Sequence, residues 1–270
     1  MTRRNVALAA AAIVLALPAG ALAQLGRSAS NGREGLPSQE RYRLRLEYRE
    51  WRPDLTGTML KGSADADGTI VDLNDDLALE KDRTFQARGE IQFKAGQKLR
   101  GSYTKLNYHG DVASAPHTFS FGESRFVTGN RVVTTLKGAY YSADLEWDFV
   151  KGPGGFLGAL VGARMLDVDR TLVSPTDEHR EADTLRQPQP VIGVVGRGYA
   201  GRLSVEGEIA GLSFGSRGSV FEFDGSGRFH LSDRLAVQAG YRVLSAKPKD
   251  GADAVEFRMG GWHFGLELSL

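Results

Sequence analysis

Residues 262–270 read Trp-His-Phe-Gly-Leu-Glu-Leu-Ser-Leu. Trp262, Phe264, Leu266, Leu268 and Leu270 share one parity, while His263, Gly265, Glu267 and Ser269 share the other. Successive side chains of an extended chain point to opposite faces, so this run is a strand with one apolar and one polar face. A helix would scatter the same residues around its circumference. Just upstream, Phe257 and Met259 sit on odd positions, so the apolar set changes parity at Gly260-Gly261. A glycine β-bulge is the simplest expectation there.

The same period recurs along the chain. Tyr42, Leu44, Leu46 and Tyr48 alternate with Arg41, Arg43, Arg45, Glu47 and Arg49. Phe85, Ala87, Ile91 and Phe93 oppose Arg88 and Glu90; Leu99 and Tyr103 oppose Arg100 and Thr104. Tyr141, Leu145, Trp147 and Phe149 oppose Asp144, Glu146 and Asp148; Leu157, Val161 and Met165 oppose Arg164. Further alternation spans 191–199, 203–209, 221–231 and 235–243. With the last segment this predicts ten strands, although eight or twelve also fit. The connections alternate in length. Long ones are expected at about 52–83, 109–131 and 170–188, and tight ones at 95–97, 151–154, 200–202 and 232–233.

The chain has 270 residues, 34 of them glycine and none cysteine. Disulfide scaffolds, thiolate metal sites and cysteine nucleophiles are thereby excluded. Basic and acidic residues number 34 and 33, a balance that removes the electrostatic case for a nucleic-acid partner. At the front, Arg3 and Arg4 precede an apolar stretch from Val6 to Leu17, followed by Ala21-Leu22-Ala23. This is the layout of a secretory signal peptide over residues 1–23, with cleavage expected between Ala23 and Gln24. Residues 24–40 show no periodicity and are expected to form a flexible tail. No later segment is apolar enough for a transmembrane helix, but a closed barrel crosses a membrane without one.

Export, alternation over residues 41–270, loops of alternating length and the final strand together resemble the small single-chain β-barrels of Gram-negative outer membranes. The resemblance implies an all-β, antiparallel, up-and-down transmembrane barrel with its long loops extracellular and its N-terminal tail periplasmic. It also implies contact with outer-membrane lipids, lipopolysaccharide included, and assembly by the machinery that reads the last strand. That superfamily usually ends on an aromatic residue, whereas this chain ends on Leu270. The soluble alternative, a lipocalin-like barrel or sandwich, would bury the apolar set. The many Gly and Ala on that set suit a lipid-facing wall better than a packed core.

On the barrel reading Trp262, Phe264, Leu266, Leu268 and Leu270 face lipid. Trp51, Trp147 and Trp262, with Tyr42 and Tyr48, are expected near the membrane interfaces. The charged parity then lines the lumen. It comprises Arg41, Arg43, Arg45, Arg49, Arg88, Arg100, Arg164, Arg197, Arg228, Arg242 and Arg258. Its acids are Glu47, Glu90, Asp144, Glu146, Asp148, Glu206, Glu208, Glu222, Asp224, Glu256 and Glu267. Lysine is absent from this set, and Arg suits forked pairing with carboxylates in confined space. A ten-stranded lumen is narrow enough for such side chains to fill. A structural or surface-interaction barrel with a charge-plugged lumen is therefore expected, ahead of a narrow solute channel and of a hydrolase active at the rim.

Other candidate chemistry is weaker. Asp65, Asp67, Asp72, Asp75 and Asp76 crowd the first loop, as a hard cation would require, but the spacing fails the EF-hand pattern. His109, His117 and His179 lie in long loops with Asp167, Asp169 and Ser174 as conceivable partners, at no diagnostic spacing. His230 and His263 are expected to be hydrogen-bonded lumen fillers. No catalytic residue, metal or cofactor is expected.

Overall fold

The computed structural model describes residues 37–60, 69–80, 83–176, 178–213, 218–250 and 253–270. Within them run β1 (Leu44–Leu60), β2 (Val71–Asp72), β3 (Thr84–Lys94), β4 (Gln97–Val112), β5 (Phe119–Phe121) and β6 (Ser124–Phe126). There follow β7 (Val132–Gly152), β8 (Gly155–Ser174), β9 (His179–Ala200), β10 (Leu203–Ser213), β11 (Gly218–His230), β12 (Leu235–Asp250) and β13 (Asp253–Ser269). Ten of these form one antiparallel sheet in the order β13-β12-β11-β10-β9-β8-β7-β4-β3-β1, and β1 closes it by pairing with β13. Closure leaves no unpaired edge. The expected ten-stranded up-and-down barrel is the fold. The signal segment and cleavage site lie outside the described residues.

The even strand number brings Leu44 and Leu270 together at one end, here the lower end, where the Leu270 amide donates to the Leu44 carbonyl at 2.7 Å. The four connections expected to be tight lie at this end. Ala95-Gly96 joins β3 to β4, and Gly96 adopts φ 77°, a left-handed conformation that glycine takes without a Cβ clash. The tail differs from expectation at its last residues: Ser38–Glu40 form a 3-10 turn whose Glu40 is buried in the lower mouth.

The barrel wall changes character halfway up. In β1 the inward residues are Arg45, Glu47 and Arg49 below, then Trp51, Leu55 and Met59 above. The outward residues run the other way: Leu46 and Tyr48 below, then Arg52, Asp54 and Thr56. The other long strands follow suit. On β8, Arg164 gives way inside to Leu166, Val168 and Leu172, while Met165 gives way outside to Asp167 and Asp169. The lower half is thus apolar outside and charged inside. The upper half is charged outside and apolar inside, like a soluble barrel.

This overturns the bulge expected at Gly260-Gly261. The β13 register runs unbroken against β1 from Ser269 to Ala254, and against β12 through the same stretch without a shift. Phe257 and Met259 are buried inside, and Glu256 and Arg258, expected to line the lumen, are exposed. The glycines serve close packing instead. A Cβ on Gly261 would lie 2.0 Å from the Arg52 carbonyl oxygen, and the Gly261 carbonyl accepts a hydrogen bond from the buried Trp51 indole at 3.1 Å.

The tall upper wall also shortens the loops. β1 continues to Leu60, and β8 and β9 run to Ser174 and from His179, so the third loop is a short turn rather than 170–188. The second loop folds back as the β5–β6 hairpin. Phe119, Phe121 and Phe126 from it, with Val71, Leu73, Leu77 and Leu79 from the first loop, join the upper apolar core.

Candidate functional site

The lower lumen is a lattice of ion pairs. Arg100 on β4 bonds Glu146 on β7 at 2.7 Å and reaches Glu208 on β10 at 2.5 Å. Arg88 on β3 meets the same Glu208. Arg49 joins Glu47 to Asp224 on β11, the latter at 2.6 Å, and Arg164 spans from Asp144 to Glu222, each at 2.6 Å. Arg228 binds Glu267 at 2.8 Å and Glu206 at 3.4 Å; Arg197 binds both acids too. Arg242 bonds Glu222 at 3.1 Å. Because β4 and β10 stand on different sides of the barrel, these contacts cross the lumen rather than line it.

Local backbone makes room for the lattice. Gly162 pairs directly with Asp144, and a Cβ there would lie 2.1 Å from Asp144 Oδ1. Only a glycine at that inward position lets the carboxylate lie flat on its neighbour strand and reach Arg164.

The lattice departs from the expected set at its lower mouth. Arg41 and Arg43 are exposed, because β1 begins at Leu44 and the chain turns beneath the mouth. Tyr42 is buried there instead of at the lipid interface, donating from its hydroxyl to Glu90, with the Arg45 guanidinium 3.8 Å over its ring. Glu40 takes part unforeseen, bonding Arg45 at 2.9 Å and lying 3.6–3.7 Å from Arg197 and Lys98. Lys98 is the second surprise. It is 1% exposed and lies 2.7 Å from Glu146 and 3.1 Å from Asp148, so the lumen does hold a lysine. It was missed because its neighbours in sequence suggested a turn. Glu90 lies 3.6 Å from both Arg45 and Arg100.

Above the lattice the upper lumen closes with apolar side chains. Arg242 marks the boundary, its guanidinium 4.9 Å from the Trp51 ring centroid and 5.9 Å from that of Tyr140. Trp51, expected at the membrane interface, is 1% exposed in this inner layer. Outside, an aromatic row runs Tyr48, Phe85, Tyr103, Tyr141 on neighbouring strands, with centroids 5.5–6.1 Å apart, and Tyr241 packs edge-on against Trp262. Trp147, Phe149, Phe264, Leu266, Leu268 and Leu270 are exposed below this row. Above it come charges such as Arg52 with Glu50 and Arg186 with Asp167. The outer face therefore carries an apolar band bounded by an aromatic girdle, as a lipid-facing wall does.

The loop candidates do not converge. Asp72 accepts from the amides of Asn74 and Asp75, and Asp76 accepts from that of Asp72, so these acids cap their own turn. Asp65 and Asp67 lie outside the described residues. His117 lies 3.4 Å from Asp76, while His109 and His179 are exposed and distant from one another in the fold. Asp169 accepts from Thr184. Ser204 and His230 share a hydrogen bond at 2.9 Å, and His263 meets Asp224 at 3.3 Å. Among the described residues no group of His and acids is placed to hold a metal. At the upper rim, two hydrogen bonds from Arg131 hold the Asp111 carboxyl below its usual range.

No protein-family model matches the chain, and no curated protein matches it. Among solved structures, the outer membrane protease OmpT of Escherichia coli is similar with a TM-score of 0.54 at 8% identity, over 84% of this chain and 97% of that one. The translocator domain of the autotransporter NalP from Neisseria meningitidis covers 98% of both chains at 12% identity, with a TM-score of 0.39. Ail, the attachment invasion locus protein of Yersinia pestis, covers 83% of this chain and 99% of its own at 11% identity, with a TM-score of 0.35. At such identities the likeness to OmpT is one of fold alone. The chain is a closed, antiparallel, ten-stranded barrel with an apolar outer band, and its fold is similar to that of OmpT.

Proposed function

We propose that the protein is a closed, non-conducting outer-membrane barrel whose role is structural or one of surface interaction, and that it is not an enzyme. The observation that carries this reading is the pair of bridges from Arg100 and Arg88 across the lumen to Glu208. A solute path would have to break them. Buried charges are costly unless paired, so the lattice holds its own partners in preference to passing ions. The apolar upper lumen is a second barrier, because water leaves narrow apolar constrictions. Lipids, lipopolysaccharide among them, contact the apolar band, and the assembly machinery engages β13. The upper rim and the β5–β6 hairpin form the surface offered outside the cell.

The test is electrical. Purified protein in a planar bilayer gives little or no steady current. A stable, large open-channel current from the unmodified protein overturns the closed barrel and makes it a channel.

A further inference from the structure

The upper lumen contains an apolar cavity of about 60 Å³, several times the room one water needs. Its walls include Leu55, Met59, Leu136, Leu166, Val168 and Phe257. One charged residue interrupts them. Arg170 faces the cavity from β8, one inward position above Val168, and is 5% exposed. Its Nη2 donates to Asp183, but its Nε and Nη1 have no hydrogen-bond partner among the described residues. Phe121 of the hairpin lies over the guanidinium, 5.7 Å from ring centroid to Cζ, and so covers this end of the chamber.

Buried donors without partners are costly, and that cost is removed by a ligand that brings an acceptor. The apolar walls ask for a hydrocarbon body. The two bare N–H donors ask for oxygen at its end, and a cationic head is repelled. We propose that this chamber binds a medium-chain aliphatic carboxylic acid, its chain among the Leu and Met side chains and its carboxylate on Nε and Nη1 of Arg170. The forked guanidinium matches a carboxylate better than a single hydroxyl. The site lies above the charged lattice, so it does not depend on whether the barrel conducts.

Trp51 supplies the readout. The chain has three tryptophans, and W147F with W262F removes the two that face lipid. The remaining Trp51 belongs to the apolar cluster that lines the chamber. The double variant, folded into lipid nanodiscs, is titrated with 8-bromooctanoic acid and with 8-bromooctan-1-ol. The acid is expected to quench Trp51 saturably and about tenfold or more tighter than the alcohol, the worth of one charge-assisted hydrogen bond. Arg170→Met is expected to remove that preference and leave the alcohol unchanged. Val168→Phe, which fills the chamber, is expected to weaken both about tenfold or more. A heat-dependent gel shift verifies that each variant is folded. Quenching that rises linearly without saturation, or acid affinity unaltered in either variant, overturns the proposal.

Discussion

At the residue scale, the barrel depends on charges that are tolerable only in company. Arg100 is 3% exposed and pairs with Glu146 and Glu208; if Arg100 and Glu208 are both removed, Glu146 still has Lys98 and Arg88 still has Glu206 within reach. Arg100→Met should therefore cost about 3–5 kcal/mol by leaving buried acids short of a partner. Arg100→Met with Glu208→Met should cost less than the single change, as measured by urea unfolding in lipid vesicles. A double variant as unstable as the sum of its two single variants would refute a coupled lattice. On the outer face the logic reverses. Phe264→Asp or Leu266→Asp puts a charge among lipid tails and should cost on the order of 2 kcal/mol or somewhat less. Ser269→Asp points inward beside Arg45, whose Nε lies 3.4 Å from Ser269 Oγ, and should be far milder. Heat-shifted gel bands report the folded fraction, and equal defects at both faces would contradict the assignment.

At the scale of elements, two layers close the same lumen by different physics. The lower one rests on ion pairs among β1, β3, β4, β7, β8, β10 and β11. The upper one rests on the loop residues and the β5–β6 hairpin packed into an apolar core. Neutralising Arg88, Arg100 and Arg164 together should leave the bilayer current near zero, because the upper layer still excludes water. The same triple variant lacking residues 117–128, which contain the hairpin, should conduct. Current from the triple variant alone would show that the charged layer is the sole barrier.

At the scale of the molecule, one wall serves two solvents. Where lipid surrounds it, apolar side chains go out and charged ones fill the inside. Where water surrounds it, the arrangement inverts and the inside becomes an ordinary core. The barrel thus stands well clear of the bilayer at the end opposite its termini. The mature chain should fractionate with outer membranes and run differently on a gel before and after boiling. Recovery as a soluble monomer after cell lysis would contradict the apolar band.

The sequence by itself determined the period, and through it the all-β class and the outward-facing set from Trp262 to Leu270; it pointed to ten strands but left eight or twelve open until the closure of β1 on β13 decided. It also determined most of the lattice, because an Arg or Glu opposite a lipid-facing residue has nowhere to point but inward. It could not determine which face is inside along the upper half. A change in apolar parity at Gly260-Gly261 reads the same whether the strand slips by one residue or the surroundings change polarity. Only the register of β13 against both β1 and β12 decides, since an unbroken ladder forbids the slip. The same limit hid Trp51, whose aromatic ring fits a membrane girdle as well as a core. It hid Glu40 and Lys98 too, whose burial depends on residues far away in the chain. The chamber around Arg170 is likewise a product of tertiary structure alone, assembled from strands that meet only when the barrel closes.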